Sequence, residues 1–254
     1  LNLNINRSSS NYTGDLTIDL KAGADSILSA KLINTDSIDL GAGDDSITVM
    51  FGADAGGYQT IQNANISKLD GGAGTDTLSF EESANGPSTL ELTSAGATNF
   101  ENLRGTNGAE TLNGDANANI LSGNSGADTL NGNGGNDTLY AQRQGMGGAS
   151  STDDSDDNLY GGSGNDTLYG SAGDNILDGG TGADTIYSGT GSDVIVIRAG
   201  DGGSAIADAD TLTDFSDGVD AIGFDSSLSF SDLTITASGS DTVVSAGRDR
   251  KSVV

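Results

Sequence analysis

The chain has 254 residues and a formal charge of -27, from 37 acidic against 10 basic side chains, with 40 glycines, one proline and no cysteine, tryptophan or histidine. Such acidity excludes nucleic acid as a partner, because phosphate binding rests on Lys and Arg. The missing Cys removes disulfide staples, and the missing His removes Ser-His-Asp and Cys-His nucleophile systems, HExxH zinc centres and any imidazole base.

Carboxylate-pair chemistry stays formally open, but the acids recur at a structural period, and no enzymatic activity is expected. No run of about 18 apolar residues is present to span a bilayer, so membrane insertion is not expected. Residues 1–6 do not resemble a signal peptide. A chain this acidic either stays disordered or recruits cations.

Over residues 1–104, alternating apolar runs predict strands at 16–20, 37–40, 46–50, 77–80 and 89–93. Turns ending in Asp25, Asp45 and Asp76 separate them. Two of these turns fit a nine-residue pattern, LGAGDDSIT from Leu40 and GGAGTDTLS from Gly71. Irregular coils of a solenoid are expected here. Their acidic turns read equally as cation sites on one or both edges, or as polar turns of a metal-free β-helix.

From Gly105 the nine-residue blocks become regular: GTNGAETLN, GDANANILS, GNSGADTLN and GNGGNDTLY. After residues 141–151, an expected surface insertion, and an irregular turn ending at Tyr160, the blocks GGSGNDTLY, GSAGDNILD, GGTGADTIY and SGTGSDVIV follow. The eighth position is always apolar, from Leu112 through Leu139 and Leu168 to Ile195. Strand side chains alternate between faces, so an inward eighth residue turns the seventh and ninth outward. Threonine suits the seventh position because its branched Cβ favours a strand.

These blocks match GGxGxDxUx, and the chain resembles the RTX family of calcium-binding repeat proteins. The resemblance implies an all-β fold: a right-handed parallel β-roll or β-helix solenoid. In each block six residues form a turn and three a strand, and two blocks complete a coil. The sixth position would then fall into two files on opposite edges. One holds Asn119, Asp137, Asp166 and Asp184; the other holds Glu110, Asp128, Asp157, Asn175 and Asp193. Coils stack about 4.8 Å apart, so carboxylates in a file repel unless a cation separates them. Several calcium ions are therefore expected, held by Asp128, Asp137, Asp157, Asp166, Asp184 and Asp193, with Asp25, Asp45 and Asp76 in the earlier turns. Asn119 and Asn175 bring one neutral oxygen each and should form weaker sites. The Asp157 turn, TDDSDD, lacks glycine.

Beyond residue 196 the nonapeptide stops. Residues 197–254 are expected to cap the roll, and DTLTDFSDGVDAIGF from Asp210 resembles the closing segment of serralysin-type proteases. Asp208, Asp210, Asp214, Asp217 and Asp220 could ligate a further ion there, but read first as solvated acids. Arg248, Arg250 and Lys251 precede the last residues, which read either as a type I secretion signal or as a frayed tail. Tyr140, Tyr169 and Tyr187 should stack along one face, as cross-strand packing or as a sugar platform. The functional expectation is a secreted, calcium-binding structural or surface protein of a bacterium, of the S-layer, adhesin or filament kind, whose folding calcium triggers. Self-association and cell-surface polysaccharide are its expected partners. The alternatives are a noncatalytic module of a type I-secreted hydrolase or epimerase, and a carbohydrate-binding module.

Overall fold

The computed structural model describes residues 1–4, 17–30, 37–50, 69–81, 89–92, 97–142, 154–201, 209–224, 228–229, 231, 233–238, 241–246 and 249–253. The described residues contain strands and no α-helix, and no helix among them is long and apolar enough to cross a membrane. Before the regular blocks lie β1 (Asn2–Asn4), β2 (Thr17–Asp19), β3 (Ser26–Ala30), β4 (Ser37–Asp39), β5 (Ser46–Met50), β6 (Leu69–Asp70), β7 (Thr77–Glu81) and β8 (Thr89–Glu91). The repeats supply β9 (Asn102–Arg104), β10 (Thr111–Asn113), β11 (Ile120–Asn124), β12 (Thr129–Gly134), β13 (Thr138–Gln142), β14 (Asn158–Ser163), β15 (Thr167–Tyr169), β16 (Ile176–Thr181), β17 (Thr185–Tyr187) and β18 (Val194–Ile197). Five more close the chain: β19 (Asp210–Leu212), β20 (Ala221–Phe224), β21 (Leu233–Ser238), β22 (Asp241–Ala246) and β23 (Asp249–Val253).

Successive strands alternate between sheets, as a two-block coil requires. One large sheet runs β1-β3-β5-β7-β9-β11-β13-β15-β17-β19, and a second runs β8-β10-β12-β14-β16-β18-β20; β2, β4 and β6 pair separately. All of these neighbours pair in parallel. The pattern is a β-roll solenoid. Equivalent residues are 18 apart where the repeat is regular and 29 apart across β13–β15, the difference being the inserted segment. Most of that insertion, 143–153, lies outside the described residues. Earlier coils take 20, 31 and 25 residues, which is why their repeat is hard to see by period. β3 was not expected from alternation; its turn, LKAGAD from Leu20, is a further copy of the block.

The eighth positions make one core. Ile27, Ile47, Leu78, Leu103, Leu121, Leu139, Leu168, Ile186 and Leu212 come from the large sheet, and Ile38, Leu69, Leu112, Leu130, Leu159, Leu177 and Ile195 from the opposite side; all are buried. A single apolar cluster runs unbroken from Ile27 to Leu212. Each such side chain contributes about 1.5–3 kcal/mol on burial.

Two outward positions depart from the expected exposure. Asp178, a ninth-position residue, is buried because the Arg198 guanidinium lies over it in an ion pair. Ser122 is also buried, its Oγ donating to the Gln142 carbonyl at 3.1 Å.

At the far end the topology changes. β23 pairs in parallel with β19 and antiparallel with β22, which pairs antiparallel with β21. Residues 249–253 are thus a strand of the large sheet and not a frayed tail; Arg248 lies outside the described residues.

Candidate metal centre

The turn of each nine-residue block must reverse the chain without a clash against the turn below. At Gly164 φ is +132°, and a Cβ built there would lie 1.6 Å from the Gly135 carbonyl oxygen, so no other residue fits. Gly161 serves differently: a Cβ would meet the Asp166 Oδ2 at 2.4 Å and the Gly179 carbonyl at 2.4 Å. The first glycine of the block is bare so that the block's own carboxylate can fold against it. Asn124, Asn133 and Ser171 take the left-handed conformation at the second position, with φ of 84°, 74° and 71°; Asn tolerates it best after glycine.

The sixth-position side chains then stack in two files. On the edge leading into the large sheet, each backbone N–H donates to the Oδ1 one coil further on: Asp25 to Asp45 at 2.6 Å, Asp45 to Asp76 at 2.7 Å, Asn119 to Asp137 at 2.7 Å, Asp137 to Asp166 at 2.7 Å, and Asp166 to Asp184 at 2.8 Å. On the other edge Glu110 donates to Asp128 at 2.8 Å, Asp128 to Asp157 at 2.7 Å, Asp157 to Asn175 at 3.0 Å, and Asn175 to Asp193 at 2.8 Å. All eleven residues expected to ligate metal are therefore in a file and buried. Asp25, Asp45 and Asp76, whose edge was open, join the Asp137 file.

The files have three further members, of which Glu101 was missed altogether. Glu101 stands in the first file, its Oε2 accepting from the Asp76 N–H at 2.7 Å; it follows GATNF, which lacks the block's second glycine. Asp210 and Asp220 end the files, accepting at 3.1 Å from the Asp184 and Asp193 N–H groups respectively. The solvated reading of these two is corrected: Asp210 is buried and Asp220 half-buried, and Asp220 Oδ2 also accepts the Ser216 N–H at 2.7 Å. Asp214 is exposed, as the solvated reading expects, and takes the Ser188 and Gly189 N–H groups at 2.7 and 3.1 Å. Asp217 is exposed, and Asp208 lies outside the described residues.

Beyond the first member of each file, one carboxylate oxygen is engaged in the ladder; the other defines the site. The Oδ2 atoms of Asp25, Asp45, Asp76, Asp137, Asp166, Asp184 and Asp193 are buried with no hydrogen-bond donor. Such oxygens are expensive as anions without a compensating charge. Burial accordingly pushes Asp137 up to about 7, with Asp166 adding repulsion, and pushes Asp76, Asp166, Asp184 and Asp193 up to about 6. A cation answers both burial and repulsion. The donor set is oxygen alone, which suits a hard ion such as Ca²⁺ with six to eight ligands. Among the described residues no three or more acids, His or Cys gather into one centre, so turn carbonyls would supply most of each shell.

Not every turn keeps an oxygen in reserve. The Glu110 carboxylate folds into its own turn, accepting the Thr106 hydroxyl at 2.6 Å and N–H at 3.0 Å. Asn119 Oδ1 accepts the Asp115 N–H at 2.8 Å as well. An outer row also appears at the fifth position on each edge: beside the Asp137 file Asn136 Oδ1 accepts from the Asn165 N–H at 3.0 Å, and beside the Asp157 file Asp156 accepts from the Asp174 N–H at 2.8 Å and Asp174 from the Ser192 N–H at 2.7 Å. Its signal in the sequence is weak, because the fifth position alternates among Asn, Asp, Ala and Ser.

The family model for the RTX calcium-binding nonapeptide repeat, in 4 copies, matches residues 34–55, 104–139, 151–186, 160–195 and 169–202. No curated protein matches the chain.

Proposed function

Because this chain is an RTX calcium-binding β-roll protein, we propose that it leaves the cell unfolded, folds when extracellular calcium enters its two acidic files, and serves outside a bacterium as a structural surface protein. The observation that carries this reading is the row of buried, donorless Oδ2 atoms at Asp25, Asp45, Asp76, Asp137, Asp166, Asp184 and Asp193. Between residues 105 and 196 there are 13 acids and one Arg. The calcium-free roll must therefore assemble like charges at close range. With a dissociation constant near 10⁻⁴ M, millimolar calcium adds about 1.4 kcal/mol per site by linkage, and several sites together decide the fold. Binding energy is then folding energy.

The ions would be held by Asp128, Asp137, Asp157, Asp166, Asp184 and Asp193, with Asp25, Asp45 and Asp76 extending the first file, and they would supply charge neutralisation alone. The structural role rests on the continuous core from Ile27 to Leu212, which makes the described coils one solenoid. Titrating calcium while recording far-UV circular dichroism at pH 7.4 tests the trigger. A cooperative gain of strand signal is expected; a full strand signal in excess EGTA overturns it.

A further inference from the structure

Asn175 is the odd member of the second file, and its side chain does something no aspartate there can do. Its Oδ1 accepts the Asp157 N–H at 3.0 Å, which fixes the amide orientation. The Nδ2 group then points into the turn and donates to the Gly170 carbonyl at 3.2 Å, the Gly173 carbonyl at 3.1 Å and Asp193 Oδ1 at 3.0 Å. These are three oxygens from the first and fourth positions of its own block and from the next coil's carboxylate.

The same place in the regular turns is taken by a carboxylate oxygen. A Cβ on Gly170 would lie 3.1 Å from Asn175 Nδ2, while one on Gly161 would lie 2.4 Å from Asp166 Oδ2, and one on Gly179 2.2 Å from Asp184 Oδ2. In those turns the atom facing the first glycine is an acceptor with no donor. In the Asn175 turn it is a donor with three acceptors around it. Asn175 itself is buried, so water does not compete for these contacts.

We infer that the side-chain amide of Asn175 replaces a calcium ion in its turn, making this rung of the roll independent of metal. The inference rests on the reading that the acidic files bind calcium. The amide brings partial positive charge to carbonyls that otherwise face a cation, without adding a negative charge to the file. Its rung joins the β14–β16–β18 ladder, so two coils are held together before any ion arrives. The residue determines how many ions the roll takes and where along it calcium is dispensable. Asn119 does not share this arrangement, since its Nδ2 reaches only the Glu101 carbonyl, at 3.4 Å.

Counting bound calcium on the full chain by native mass spectrometry and by equilibrium dialysis, with calcium the only added metal, tests it. Asn175→Asp should bind one ion more than the natural chain. Asp166→Asn, the reverse exchange, should bind fewer ions while keeping its strand signal. An unchanged count in N175D beside a reduced count in D166N overturns the inference and leaves calcium binding in the files standing. No bound calcium in the natural chain overturns both. If N175D does not fold at any calcium concentration, D166N decides: fewer ions with the roll retained supports the exchange, and an unchanged count or a lost roll refutes it.

Discussion

A carboxylate at Asp137 or Asp166 has left water and kept one oxygen without a donor, so its protonation and its metal binding are alternatives. Burial raises these acids in the fold from 3.8 to about 6 or 7. A raised acid favours the fold while it is protonated: that contribution is complete below about pH 4 and is lost as pH climbs through 6 to 7. Each shift of about two units is worth about 3 kcal/mol. Without calcium the roll is therefore expected to gain strand signal by circular dichroism as pH falls from 7.5 to 5. The calcium midpoint for folding should fall over the same range, because protons already stabilise the roll, while the affinity of the folded roll for calcium falls as protons compete for the same oxygens. A midpoint that stays constant between pH 7.5 and 5 contradicts this. Gly161→Ala acts on the same atom: its Cβ would press on Asp166 Oδ2 and the Gly179 carbonyl. Overpacking of this kind costs about 1–3 kcal/mol and should raise the calcium midpoint for folding.

At the level of the strand, each T-L-Y element does two jobs through its alternation. The middle residue fills the core and the outer ones meet their copies on the neighbouring coil. Tyr140, Tyr169 and Tyr187 stack with ring centroids 4.8 and 4.7 Å apart and planes within 3° and 10°. Burial and the two neighbouring phenols raise Tyr169 above the usual tyrosine value. A sugar stacks on an open ring face, and here the faces are turned to each other, which favours cross-strand packing over a carbohydrate platform. Tyr169→Ala should lower stability in calcium by about 0.5–1.5 kcal/mol by denaturant titration, with the ion count unchanged. Leu168→Ala, one position earlier and fully buried, should cost about 2–5 kcal/mol in the same assay. Equal losses would mean that the outer face matters as much as the core.

Over the whole molecule, stability is close to one-dimensional: each coil contacts its neighbours, and the ends are where strand edges and apolar core meet solvent. At one end β19 is covered by β23, with β22 and β21 beyond it. Removing residues 209–254 would open β17 and β18 and expose Ile186 and Ile195. That truncation is expected to aggregate in calcium, as followed by light scattering, while the full chain stays dispersed. Retained monodispersity would mean that these strands do not close the roll.

Much of this was legible in the residues. The nine-residue period, the apolar eighth position and the acidic sixth position match the RTX repeat, and that resemblance implied a parallel roll with acids on both edges; strand alternation by itself turns Leu112 through Ile195 inward. The missing His determines that imidazole catalysis is absent. Coils of 20, 31 and 25 residues hid the early register, so only pairing across the sheet put Asp25, Asp45 and Asp76 in the same file as Asp137. Tertiary structure alone decided which oxygens lack a donor, that Asp210 and Asp220 end the files, and that the Asn175 amide turns inward. The contacts that align the files join residues 18 or more apart in the chain, set by stacking of coils and carried by no local pattern.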